Sequence, residues 1–262
     1  MRIKKLMRCL LSMAFLLMIF APVAYGDLYW ESVQVRSGSP KGLPENFAKG
    51  LPRDLQKNLP QGMPKDMPKP PPRPGMARAG DGSQTIKHYL SEFGSRIDTP
   101  HDITIVLFKD MTIYQLDPST KTYVKINMKE MEKNMGPMAK MNEETKVTAT
   151  GEKETIEGFK CEKYILTIMG NENLQWLSKA VPGYDEYEKI SGKIMKDSPQ
   201  FRRMGFTGKL SGKGFPVKMV SGVMGMTTTT TLKKIEKTTL SEDLFKVPEG
   251  YVQKPLNVPL HR

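Results

Sequence analysis

Cysteine is almost missing from this chain of 262 residues: Cys9 and Cys161 are the whole supply. Cys9 falls in an N-terminal segment that reads as a leader, and the one thiol then left cannot close an internal disulfide. Stability has to come from an apolar core. Cys161 sits in a β-like run, Phe159–Met169, with no basic partner recognisable in the sequence, so it reads as a small packed hydrophobe rather than a nucleophile or redox thiol. Histidine is as scarce. His88 and His101 have no His, Cys or paired carboxylate at ligand spacing, and His261 lies one residue from the end, so no metal site is expected from them. The chain has no Gly-x-Ser-x-Gly elbow, no His-Glu-x-x-His pair and no P-loop, and an enzyme is the reading it supports least; no cofactor is expected.

Long apolar runs are also missing, with one exception. Arg2, Lys4, Lys5 and Arg8 precede the apolar run Cys9–Val23, and Ala24-Tyr25-Gly26 supplies small residues ahead of Asp27. That is the anatomy of a secretory signal peptide, residues 1–26, cut before Asp27, and it points to the periplasm. The apolar core is shorter than the roughly 20 residues a span needs, and the remaining chain is not expected to cross a membrane. Cys9 lies in the basic flank rather than after a small-residue box, so a lipid anchor is not expected either. Lys and Arg number 40 against 28 Asp and Glu; without the four leader cations the balance is 36 to 28, or +8. A basic exported protein suits anionic headgroups or envelope polyanions. The cations are scattered among acids, which favours ordinary solvated surface, and nucleic acid is not an expected partner outside the cytoplasm.

What the sequence does hold is a ladder of strand-sized runs. Asp27–Arg36 reads as a first strand. Residues 37–84 break off into Leu-Pro and Met-Pro repeats and Lys69-Pro70-Pro71-Pro72-Arg73-Pro74, which exclude helix and sheet and predict an extended, flexible insertion. It is either a tolerated insertion between strands or an arm for an envelope protein partner. Strand character resumes at Thr85–Leu90 and continues through Ile103–Phe108, Met111–Leu116 and Thr122–Asn127, with Lys109-Asp110 and Asp117-Pro118-Ser119-Thr120 between them. Lys146–Thr150, Glu154–Ile156 and Phe159–Met169 follow, then Gly170–Ser178. Tyr184, Tyr187, Ile190, Ile194 and Met195 recur at helical spacing and predict a helix over Pro182–Phe201. Phe215–Met226 and Thr227–Thr239 return to strand, the five consecutive threonines favouring it through stiff χ1. The end of the chain, 254–262, is expected to fray.

One segment stands apart. Met128, Met131, Met135 and Met138 fall on one face at helical spacing, with Met141 a further step along. Two chemistries compete for it. Thioethers are soft ligands suited to Cu(I) in an exported protein; methionine is equally a flexible filler for a lid or core that adapts to an apolar ligand.

Asp27-Leu28-Tyr29-Trp30, Met111 to Pro118, Lys121-Thr122-Tyr123, Gly151 to Cys161 and Asp243-Leu244-Phe245-Lys246-Val247-Pro248-Glu249-Gly250 stand in order. Together they resemble an exported bacterial family carrying a domain of unknown function, similar to the lipoprotein-carrier fold of LolA, LolB and LppX. The resemblance implies a mainly antiparallel β (α+β) domain over 27–36 and 85–253. Its strongly curved sheet would form an incomplete barrel, with helices packed on its concave side. It further implies a non-enzymatic binder or carrier of a lipid, lipoprotein or other apolar ligand, the acyl chain held in the half-barrel. The ligand-binding candidates are Met128, Met131, Met135 and Met138 on a lid and Trp30 and Trp176 on the sheet. The alternative is a Cu(I)-binding protein using the methionine segment.

Overall fold

The computed structural model describes residues 26–38, 82–130, 145–168, 171–197, 208–223 and 225–256. They form one sheet of twelve strands: β1 (Asp27–Ser37), β2 (Gly82–Leu90), β3 (Gly94–Asp98), β4 (Ile103–Leu107), β5 (Thr112–Asp117), β6 (Thr122–Asn127), β7 (Lys146–Ile156), β8 (Phe159–Ile168), β9 (Asn171–Ser178), β10 (Phe215–Val223), β11 (Met226–Thr238) and β12 (Val252–Lys254). The order across the sheet is β12-β6-β5-β4-β3-β2-β1-β11-β10-β9-β8-β7. Its two edges, β7 and β12, do not pair with each other, so the barrel stays open. The short β12 runs parallel to its neighbour, β6, and every other pair of neighbours in this order is antiparallel. Among the described residues one helix of several turns, α1 (Tyr184–Asp197), lies on the concave side.

Three irregularities bend the sheet. The register slips between Glu31 and Ser32 on β1 against β11, between Pro216 and Lys218 on β10 against β9, and between Ala149 and Lys153 on β7 against β8. An extra residue in one strand raises the local right-handed twist. Pro216 sits at one of these slips, where a ladder donor is not required. The β7–β8 turn is Glu157-Gly158 with φ of 49° and 81°, the paired positive values of a type I′ hairpin. Lys146–Thr150 and Glu154–Ile156, separate runs in the sequence, are one strand with a bulge around Gly151.

α1 begins after Pro182 and carries Asp185 and Glu186 in its first turn and Lys196 in its last, each sign matched to the helix dipole. Gly183 fixes its start. Its φ is +87°, and a Cβ there would lie 2.7 Å from Leu28 Cδ2, so only glycine lets the turn sit on β1.

Apolar side chains collect in three places. On the inner face, Leu28, Leu90, Val106, Phe108, Met111 and Met128 close on Ile190 of α1, with Tyr187, Ile194 and Met195 packed around them. Cys161, Trp176, Val181, Phe215, Val217 and Leu232 form a second group, and Trp30 touches both. A third group holds Ile105, Leu116 and Phe245. Ile105 precedes Val106 on β4, so strand alternation places this group on the opposite face. There the chain after β11 crosses β2–β6. A 3₁₀ turn, Glu242–Phe245, is capped by Ser241 Oγ accepting from Asp243 N at 3.2 Å, and Arg96 Nη1 donates to Leu244 O at 3.0 Å. The segment then adds β12, a strand the sequence reading does not anticipate: three exposed residues carry no periodicity to read. Among the described residues no helix is long and apolar enough to cross a membrane.

Candidate functional site

The inner face under α1 is where aromatic and methionine side chains converge. Leu28 and Trp30 alternate with Tyr29 on β1, and Ile86, His88 and Leu90 alternate on β2. In register Leu28 faces Leu90, Trp30 faces His88 and Ser32 faces Ile86. Trp30 stacks on the His88 ring, centroids 4.7 Å apart and planes 2° from parallel. Its edge meets Phe215 at 5.5 Å and 87°, and Phe215 meets Tyr187 of α1 at 5.0 Å. Trp30 is therefore the hinge between the two inner apolar groups and, through Phe215, part of the floor beneath the helix.

His88 Nε2 lies 2.9 Å from Ser32 Oγ. The pair has the spacing of a nucleophile and its base, but Ser32 is buried, and burial alone lowers the His88 pKa to about 4, no acid contributing among the described residues. A triad needs a third group to orient the base. This is a satisfied core pair. Cys161 is likewise inert: it is 1% exposed, and desolvation is the main cause raising its thiol pKa. Among the described residues no three His, Cys, Asp or Glu side chains come together as a metal site.

Of the sequence candidates, Trp30 and Met128 reach the α1-covered face. Met128 is 1% exposed and its N–H donates to Met111 O at 2.9 Å. It opens a helical turn whose first amides, Lys129 N and Glu130 N, are capped by Asn127 Oδ1 at 3.0 and 3.3 Å. Trp176 stands in the second group, with Lys218 Nζ 4.6 Å and Lys163 Nζ 5.5 Å from its ring. Both cations lie within cation–π range of the indole. Met131, Met135 and Met138 lie outside the described residues, as do residues 1–25 and 39–81. The sequence reading passed over Leu28, Phe108 and Met111 as site residues. Leu28 and Trp30 at i and i+2 were the signal; Phe108 and Met111 flank a two-residue turn, and nothing in their spacing marks which face they take.

α1 is held by apolar contact along its middle and by ion pairs toward its ends. Glu186 takes Lys237 Nζ at 2.6 Å, and Lys193 pairs with Glu92. Beside its C-terminal half opens a cleft of about 230 Å³, floored by Phe108, Ile190 and Ile194 and rimmed by Glu92, Lys109, Lys193 and Asp197.

Beyond the helix-covered part the same face changes character. Alternation along β1 carries it from Trp30 and Ser32 to Gln34 and Arg36. In-register neighbours share a face, which gives one row of Gln84, Gln34, Thr230, Met219 and Gln175 across β2, β1, β11, β10 and β9. The next row holds Arg36, Thr228, Ser221 and Asn173. All of these are partly or fully exposed, and none is acidic.

A family model described as a domain of unknown function, DUF4412, matches residues 76–251. No curated protein matches the chain. Among solved structures, an uncharacterised conserved protein from Thermus thermophilus is 8% identical over 93% of this chain and 99% of that one, with a TM-score of 0.46. LppX, a lipoprotein of Mycobacterium tuberculosis, is 9% identical over 81% and 88%, with a TM-score of 0.35. A putative outer membrane lipoprotein-sorting protein domain from Vibrio parahaemolyticus is 9% identical over 85% and 90%, with a TM-score of 0.32.

Proposed function

The chain belongs to the DUF4412 family, and from its own geometry we propose that it is a non-enzymatic periplasmic binding or carrier protein for a lipid, lipoprotein or other apolar ligand. The observation that carries this is the nature of the contact beneath α1. Six apolar side chains of the inner face meet one apolar stripe of a single helix. An acyl chain offers the same surface, and burial is non-directional, roughly 25 cal/mol per Å², so a ligand can replace the helix without specific partners. The 230 Å³ cleft is smaller than the roughly 300–1,000 Å³ usual for ligand sites. α1 must therefore move for the site to fill, with the cleft as the point of entry. Of the pairs named above, Lys193–Glu92 is largely exposed and Lys237–Glu186 partly so, and such pairs contribute about 0–1 kcal/mol each.

In this reading residues 1–26 direct export, 27–36 and 85–253 make one carrier domain, and 37–84 is an insertion able to meet an envelope protein. Trp30, Met128 and Trp176 are the described ligand contacts, and Met131, Met135 and Met138 continue the methionine spacing of Met128. Native mass spectrometry of protein purified gently from the periplasm tests it. A bound mass released by organic solvent is the expected result. A bare polypeptide that also takes up no fluorescent fatty acid refutes the proposal.

A further inference from the structure

The polar rows beside the helix-covered face have a composition that selects a ligand. Gln34 Oε1 already accepts from Gln84 Nε2 at 2.8 Å and from Arg36 Nε at 3.1 Å, so Arg36, the one cation of the two rows, lies along the face with one of its donors on Gln34. What remains toward solvent is hydroxyl and amide: Thr228, Thr230, Ser221 and Gln175, with Met219 37% exposed between them. A phosphate or carboxylate would find a single guanidinium at one end of these rows and no second cation to clamp it. An apolar group would strip water from hydroxyls and amides and return nothing, and unpaired polar groups are penalised for that. A hydroxyl-rich group fits both ways, because amides and hydroxyls each donate and accept. The longer row runs across five strands, about 19 Å at 4.8 Å per step, and both adjoin the apolar floor at Trp30 and Ser32 on one continuous face.

We propose that this face binds an uncharged sugar, and that the ligand of the carrier site is an amphiphile with its chain under α1 and its sugar on the Gln34–Thr230–Gln175 rows. This rests on the carrier reading for the chain. Two surfactants with the same tail separate the parts: dodecyl maltoside and dodecylphosphocholine, each titrated below its micelle concentration into the full chain by calorimetry. The maltoside binds about tenfold tighter, the effect of one or two net hydrogen bonds. In Thr228→Val/Thr230→Val/Ser221→Ala, which removes three hydroxyls with little change of shape, that ratio falls to about one while dodecylphosphocholine binding is unchanged. Equal affinity in the wild type, or a ratio that survives the triple substitution, overturns the sugar site and leaves the carrier reading standing. If neither surfactant binds, the carrier reading falls and this inference with it.

Discussion

Acid should destabilise this protein in part through one side chain. His88 lies stacked on Trp30, with Ser32 on its Nε2, and burial lowers its pKa from 6.5 to about 4. The unfolded chain therefore binds a proton on this residue at a pH where the folded one does not. Stability from neutral His88 is fully present above pH 6.5 and is lost as pH falls through about 4. The full gap corresponds to about 3 kcal/mol, and about 2 kcal/mol of it is gone at pH 5. Urea unfolding followed by Trp fluorescence between pH 4 and pH 7 measures this directly, Trp30 and Trp176 being the reporters. Carboxylates and other groups titrate over the same range, so the informative quantity is the wild type minus His88→Gln, which keeps a hydrogen-bonding group for Ser32 and removes the titration. The wild type should lose about 2 kcal/mol more than the variant between pH 7 and pH 5. Parallel pH curves for the two proteins would refute the assignment.

Other outcomes follow from the same contacts. Ile190→Ala removes the helix residue most deeply set in the inner face and should lower stability by about 2–4 kcal/mol. If α1 is displaceable, the same change raises affinity for a fluorescent fatty acid, and lowered affinity would contradict helix displacement. Gly183→Ala adds a Cβ 2.7 Å from Leu28 Cδ2 at a φ of +87° and should cost more than 1 kcal/mol in chemical denaturation; an unchanged midpoint would show that the turn is not fixed as described. Cys161 should resist a thiol reagent in the native protein and react at once in urea, because the thiol is buried and its pKa raised.

The strand ladder was legible because its signals are local. Thr227–Thr231 inside β11 and the alternation of Ile86, His88 and Leu90 in β2 each follow from a few adjacent residues. The helix was legible in its apolar spacing, although its described part is Tyr184–Asp197 rather than the whole of Pro182–Phe201. β12 was not, since Val252-Gln253-Lys254 becomes a strand only because β6 offers a free edge. The site divided in the same way. Trp30 and Met128 stand out by type, whereas the change along β1 from Trp30 to Gln34 and Arg36 acquires meaning only when β2, β11, β10 and β9 bring their own amides and hydroxyls alongside. Single-sequence reasoning sees period two; it does not see which neighbours complete a row.

The place of β1 in the middle of the sheet has a kinetic consequence. Asp27 pairs with Thr238, so a strand at one end of the domain waits for a partner some two hundred residues later in the chain. β2 to β6 and β7 to β9 join neighbours in sequence and can assemble early as separate meanders. The β1–β11 seam that unites them demands the longest loop closure in the molecule, and such high contact order slows folding. A newly made chain would thus spend an interval as two half-sheets with an open seam, each showing unpaired backbone edges until β1 and β11 join.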